Sequence, residues 1–246
     1  MKTRLGMTFR RSIIASAPVL LMALLAPAAW AQGVTVLPVT IHLAPGQQTV
    51  VLTVTSHADA ETSFQVRQFA WSQSGNQDTL VATDELLASP PLGTIAAGGT
   101  QIIRMMLRKP AQGKEATYRI LLDEIPPAAA PGSVRIALRL SIPIFAAPAT
   151  RSTPHLQWRL ESDGQEAFLV AMNDGTQHET VRDIALAAAG GAVLHVASNT
   201  SPYVLAGATH RWRIVGPPQA PGATLRLSAH ADSGSIDQTV SAIATP

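Results

Sequence analysis

Along most of the chain, short stretches rich in β-branched and other apolar residues lie between polar turn signals, and this pattern predicts β-strands. Turn-forming Gly, Pro, Asn and Asp residues separate the stretches. In the first half of the chain the stretches between these turns predict strands over 49–55, 64–71, 101–107 and 118–125. Pro126-Pro127 end the last of them. A short helical segment over 84–88 is the one exception. Short strands with turn signals between them are typical of a β-sandwich.

A second set of predicted strands follows an Ala/Pro/Thr-rich stretch over 145–154, where Pro148 and Pro154 interrupt strand pairing. These strands cover 156–160, 167–172, 193–196, 210–215 and 224–229. The pattern predicts an all-β protein with two β-sandwich domains, over 32–147 and 148–246. No repeat aligns the two halves residue by residue.

One predicted strand is unusually long. Large aliphatic residues occupy every second position in a single row: Val134, Ile136, Leu138, Leu140, Ile142 and Ile144. At the usual rise such a row is roughly 35 Å long, about twice the ordinary strand length. Pro143 predicts a sheet edge at this end. Either the whole row is buried in this protein's own core, or part of it pairs with a partner chain, as a donor strand does.

The first residues have the features of a secretory signal. Four basic residues precede an apolar run over 13–30, and Ala29-Trp30-Ala31 supplies a small-x-small cleavage pattern. We therefore expect residues 1–31 to be a signal peptide and the working protein to be exported. An N-terminal membrane anchor is the alternative, which Pro18, Pro27 and the cleavage pattern disfavour.

Charge and composition narrow the class of partner. The chain carries a net charge of +2, and the leader contributes four basic and no acidic residues, so the remainder is 2 − 4 = −2. A near-neutral body argues against nucleic acid as a partner. With no cysteine, thiol chemistry and disulfides are excluded.

Chemistry-bearing motifs are missing as well. The chain lacks a Gly-x-Ser-x-Gly elbow, a phosphate-binding glycine loop and a His-Glu-x-x-His sequence. Its seven histidines have no metal-ligand spacing. We therefore expect no catalytic residues, no metal and no cofactor.

Several short motifs in order resemble the periplasmic pilus-assembly chaperones of the chaperone–usher pathway. They include Tyr118 to Pro127, which contains "EIPP", and Val134 to Leu138, which ends in "IAL". Further similarity lies in 89–91, 95–104 and 203–207. The pattern is most similar to the branch that serves spore-coat-U-type subunits. The resemblance implies two immunoglobulin-like domains in a boomerang arrangement, with a subunit-binding cleft between them.

The resemblance also exposes a departure. Many family members anchor the subunit's C-terminal carboxylate with an arginine and a lysine, and those positions fall here on Thr40 and Pro143. A carboxylate in a cleft needs cationic or several N–H partners. Arg67 and Arg119 interrupt otherwise apolar strands and are the candidate anchors. The alternative for both is a solvated outer sheet face.

The sequence thus predicts a periplasmic chaperone that holds pilus subunits by donor-strand complementation and delivers them to an outer-membrane usher. The predicted donor residues are Val134, Ile136, Leu138, Leu140 and Ile142. The free form could self-associate to cover its edge. The alternatives are a pilus or cell-surface subunit with immunoglobulin-like domains and a periplasmic sugar-active protein. A subunit would need only one sandwich and a donor extension.

Overall fold

The computed structural model describes residues 33–74, 77–128, 131–132, 134, 136–162, 165–188, 190–197, 201–216, 220 and 222–244. Within these ranges every regular element is a β-strand, and no helix is long and apolar enough to cross a membrane. The predicted signal peptide, residues 1–31, lies outside the described residues.

Ten strands build the first half of the fold. Their bounds are β1 (Val34–Leu37), β2 (Ile41–Leu43), β3 (Thr49–Ser56), β4 (Thr62–Ser74), β5 (Gln77–Ala82), β6 (Leu86–Ser89), β7 (Leu92–Ile95), β8 (Thr100–Leu107), β9 (Ala116–Ile125) and β10 (Arg139–Ala146). The first sheet has the order β1-β3-β8-β6. The second has the order β2-β10-β9-β4-β5, with β7 also paired to β4. Alternate side chains of both sheets enclose one apolar core.

Eight strands build the second half. They are β11 (Leu156–Ser162), β12 (Ala167–Asn173), β13 (Glu179–Ala188), β14 (Val193–Val196), β15 (Tyr203–Val204), β16 (Thr209–Val215), β17 (Thr224–Ala231) and β18 (Gly234–Ala244). Because β14 pairs with both β16 and β13, the strands close into a ring around a second core. The ring is only partly paired, because among the described residues β11 and β18 meet only at residues 160–162 and 242–244.

Two local predictions are wrong. Residues 84–88 do not form a helix, because Leu86–Ser89 is strand β6, which pairs with β8 and buries Leu86. The long strand predicted from Val134 begins only at Arg139. Its ladder partner β9 ends at Ile125, and Pro126-Pro127 have no backbone N–H to extend the pairing.

The aliphatic row is therefore divided. Ile142 and Ile144 are 3% and 0% exposed and belong to the first core, against which Leu140 also packs. Val134, Ile136 and Leu138 precede the strand and are 91%, 88% and 38% exposed. Ile142 is thus committed to the protein's own core, and a donor role for it would require that core to open.

Candidate functional site

A free backbone edge runs along the first half of β10. This strand pairs with β9 over its whole length but with the parallel β2 only at residues 144–146. Residues 139–143 therefore have no strand on their second side among the described elements. Unpaired N–H and C=O groups at such an edge are a template for another chain.

Exposed aliphatic side chains adjoin this edge. Two of them, Val134 and Ile136, have no cover from the described part of the chain. Leu138 is tied to β9, because Glu124 N donates to its carbonyl at 2.8 Å and its own N–H donates to Glu124 Oε2 at 3.3 Å. Leu138 and Leu140 then line a small apolar pocket with Val34, Phe64 and Leu122. Side chains of the row are thus exposed at Val134 and Ile136, partly covered at Leu138 and Leu140, and buried at Ile142.

The outer face of the second sheet connects this edge with the second domain. Cross-strand register places Phe69, Arg119 and Pro143 in one row, on β4, β9 and β10. Side chains directly opposite in neighbouring strands share a face. Arg119 therefore lies beside Pro143, where the family resemblance places a lysine, and Thr40 lies just before β2. The Arg119 guanidinium on β9 therefore lies close to where the side chain of a lysine at position 143 would extend.

Arg119 is largely enclosed yet weakly paired. Its side chain is 14% exposed, and its guanidinium carbon lies 3.8 Å from the Trp71 ring centroid and 5.7 Å from that of Tyr203. Its polar partners are distant: Asp78 Oδ2 at 3.7 Å and Ser141 Oγ at 3.4 Å. Burial lowers the pKa of Arg119, and Asp78 and Tyr203 partly oppose that shift. The site therefore favours a further anionic partner.

Arg67, the other candidate anchor, is already satisfied. Its Nε and Nη2 donate to Asp123 Oδ2 at 2.8 and 2.7 Å, and Arg139 contacts the other oxygen of the same carboxylate. Burial of Asp123 acts to raise its pKa, but hydrogen bonds from Arg139 and Arg67 outweigh it, so the pKa is lowered. This cluster fixes the start of β10 against β9 and β4. Within the described part of the chain, Arg67 thus has a close carboxylate partner, whereas the carboxylate nearest to Arg119 lies 3.7 Å away.

The two domains meet beside Arg119. Trp71 and Phe145 from the first domain pack with Leu205 and Ala208 from the second, and Tyr203 covers them. The Trp71 and Tyr203 rings are edge to face at 5.5 Å. Gln73 ties the second domain to β4, because its Nε2 donates to Tyr203 O at 3.0 Å and its Oε1 accepts from Leu205 N at 2.9 Å.

A buried charged contact reinforces this boundary. Glu115 Oε2 accepts hydrogen bonds from the His178 backbone N at 2.9 Å and from its Nδ1 at 2.6 Å. The His178 ring stacks on Phe145 with centroids 3.5 Å apart, and His42 flanks the same ring at 5.4 Å. Burial and His178 lower the pKa of His42. The histidines that appear scattered in the sequence thus include two that share one aromatic side chain.

Sequence reasoning missed most of this boundary. Gln73, Asp78 and Glu115 have no local sequence signal. Tyr203 is marked only by the motif over 203–207 that carries part of the family resemblance. Among the described residues no group of three or more His, Asp or Glu is placed to hold a metal ion.

Comparison with known proteins now gives the family. Residues 33–151 match the family model described as pili and flagellar-assembly chaperone, PapD N-terminal domain. Residues 33–151 therefore belong to the pilus-assembly chaperone family. No curated protein sequence matches the chain.

Solved structures share the fold of this chain. The first is the CsuC–CsuE chaperone–tip subunit pre-assembly complex from the archaic chaperone–usher Csu pili of Acinetobacter baumannii. That match has 20% identity and a TM-score of 0.63 and covers 87% of this chain and 100% of that chain. The YadV chaperone matches at 17% identity and a TM-score of 0.62, covering 85% and 98%.

A further match is the Salmonella enterica SafA pilin in complex with the SafB chaperone, at 15% identity and a TM-score of 0.58, covering 87% and 97%. The all-β fold of two immunoglobulin-like sandwich domains is thereby confirmed. The exact domain boundaries and the roles of the individual site residues stay predictions.

Proposed function

We propose that this chaperone acts in the periplasm by lending the segment before β10 to a pilus subunit that lacks a strand. The observation that carries the proposal is the pair of exposed side chains, Val134 and Ile136, next to the free edge of β10. In donor-strand complementation, backbone pairing supplies affinity and alternate side chains fill the partner's core.

The exposed row is large enough to hold a partner. Full burial of an aliphatic side chain yields about 1.5–3 kcal/mol, so Val134 and Ile136 together supply roughly 3–6 kcal/mol before ordering costs. Leu138 and Leu140 add less, because both are already partly covered. Of the predicted donor residues, Ile142 is withdrawn from the proposal because the first core encloses it.

Arg119 fixes the direction of the bound strand. We place the subunit's terminal carboxylate at Arg119, in the same cross-strand row as Pro143. Ile136 precedes Pro143 by seven positions, which is about 24 Å along an extended chain. A subunit strand that lies along Ile136 and ends at Arg119 therefore runs in the same direction as β10. Parallel pairing of donor and subunit follows from these two anchor points.

Delivery to an outer-membrane usher needs a second surface. When a subunit covers the β10 edge, the outer face of the first sheet stays open. Leu37 and Ile102 lie in one cross-strand row there, and Val51 and Met106 are exposed nearby. We assign the usher contact to this apolar face. Val51→Glu is expected to leave subunit capture unchanged and to stop pilus assembly; loss of capture would contradict the assignment.

Co-expression in a bacterial periplasm with a spore-coat-U-type pilus subunit tests the proposed function. The wild-type chaperone is expected to yield a one-to-one complex, and Ile136→Glu to abolish it while the free chaperone stays folded. Val193→Glu is the matched control, because Val193 is an exposed valine of the second domain. Equal recovery of the complex with Ile136→Glu and Val193→Glu would refute the donor role.

A further inference from the structure

Gln73 uses its whole side-chain amide at the domain boundary. Besides its bonds to Tyr203 O and Leu205 N, its Nε2 donates to Asp78 Oδ1 at 3.0 Å. The backbone partners fix the amide's orientation, since a carbonyl only accepts and an N–H only donates. Both amide N–H groups and the oxygen are therefore engaged. The same residue orders the second-domain segment and one carboxylate beside Arg119.

The Asp78 carboxylate does not make a direct hydrogen bond of normal length to the Arg119 guanidinium. Asp78 Oδ2 lies 3.7 Å from Arg119 Nη2, whereas a direct charge-assisted hydrogen bond measures about 2.7–2.9 Å. The other oxygen, Oδ1, is the one that Gln73 holds. Asp78 is also partly open to water, with a side chain 34% exposed. It therefore neutralises Arg119 incompletely while remaining close enough to compete for it.

We propose that Gln73 is a positioning residue that holds Asp78 away from Arg119 and so keeps the guanidinium open to an incoming carboxylate. Asp78 competes with that incoming carboxylate for the Arg119 guanidinium. Without the Gln73 amide, Asp78 closes on Arg119 and blocks the site; without the Asp78 charge, the site binds carboxylates more tightly. This inference rests on the proposed function in one respect, namely the choice of Arg119 as the anchor.

The second domain takes part in this arrangement. Gln73 also holds Tyr203, whose ring lies beside the guanidinium. Docking of the second domain and placement of Asp78 thus depend on one amide. This explains in physical terms why a polar side chain with no charge occupies a half-buried position at the end of β4.

Titration with acetate, monitored through the Arg119 Nε–H signal in NMR spectra of ¹⁵N-labelled protein, tests the inference without a subunit. Acetamide is the neutral control ligand, and Arg119→Lys assigns the signal by removing it. Asp78→Asn is expected to bind acetate about fivefold more tightly, equivalent to about 1 kcal/mol. Gln73→Met, which preserves side-chain length, is expected to weaken acetate binding by a similar factor. Asp78→Asn in the Gln73→Met background is expected to restore it.

Asp237→Asn is the matched variant, since Asp237 pairs with Arg226 on the exposed surface of the second domain. It should leave acetate binding unchanged. Failure of Asp78→Asn to rescue Gln73→Met, or equal shifts with acetate and acetamide, would overturn the inference. Acetate binding that behaves as expected, combined with no capture of a co-expressed subunit, would instead reject the proposed function and leave the Gln73 inference standing.

Discussion

Replacement of Ile136 and of Ile142 by alanine should have opposite consequences, although both residues belong to one row. Ile142 lies in the first core, so Ile142→Ala leaves a cavity and is expected to lower the free energy of unfolding by about 2–5 kcal/mol. Ile136 is 88% exposed in the free chaperone. Ile136→Ala should therefore change that free energy by no more than about 0.5 kcal/mol.

In the complex with a subunit, by contrast, Ile136→Ala should have a large effect, on the affinity for the subunit. Once the side chain fills the subunit's core, its truncation removes about 2 kcal/mol of burial, which corresponds to a dissociation constant about 30-fold weaker. Most of this change should appear in the dissociation rate.

Urea denaturation of each free variant measures the free energy of unfolding. The dissociation rate is measured by the transfer of subunit from each purified complex to an excess of tagged wild-type chaperone. Val193→Ala, on the exposed surface of the second domain, should match the wild type in both assays. The reasoning fails if Ile136→Ala releases its subunit no faster than the wild type, or if it destabilises the free chaperone as Ile142→Ala does.

Three further predictions concern charged groups. Arg119→Ala should reduce the yield of the subunit complex at least tenfold while Arg67→Ala, whose partner is Asp123, reduces it far less; pull-down from periplasmic extracts measures both, and the reverse order would contradict the anchor assignment. Glu115→Ala leaves two buried N–H groups of His178 without their acceptor and should lower the free energy of unfolding by about 2–6 kcal/mol in urea titrations. A change below about 0.5 kcal/mol would show that the domains dock without this contact. The pKa of Asp123 is lowered from its ordinary 3.8, so its contribution to stability is present above that pH and is lost as the pH falls through the folded-state pKa. Asp123→Asn should therefore flatten the acidic part of a curve of unfolding free energy against pH. An unchanged curve would refute the pairing of Asp123 with the two arginines.

Strands with a buried face could be predicted well from the sequence. Residues 49–55 and 101–107 appear as β3 and β8, because both segments are rich in β-branched and large apolar residues and follow turn signals. β5 was missed because all six of its side chains are exposed, so no apolar alternation marks it. Missed strands such as β1 and β2 are short and depend on neighbours far along the chain for their pairing.

The division of the aliphatic row shows what periodicity alone lacks. Alternation indicates which side chains share a face, but it does not say where the ladder partner ends. In the antiparallel register Arg139 lies opposite Asp123. Continued by three positions, this register would place Ile136 opposite Pro126. The two prolines therefore decide how much of the row is left uncovered, and this information lies in another segment of the sequence.

The environment of Arg119 could not be predicted for a different reason. Gln73 and Tyr203 are separated by 130 positions, and they meet because two folded domains dock. No local pattern reports such a contact. The sequence pointed to Arg119 only as a charge on an apolar strand, and Arg67 fitted that description equally well. Their difference lies in Asp123, which the sheet register brings to Arg67.

The most direct test uses the absence of cysteine from the chain. Ile136→Cys introduces a single thiol on the exposed segment, and its reaction rate with a maleimide reports whether a partner covers it. We predict rapid labelling in the free chaperone and strong protection in the subunit complex, with Val193→Cys labelled equally in both. Equal labelling of Ile136→Cys in the free and bound states would contradict the donor-strand account.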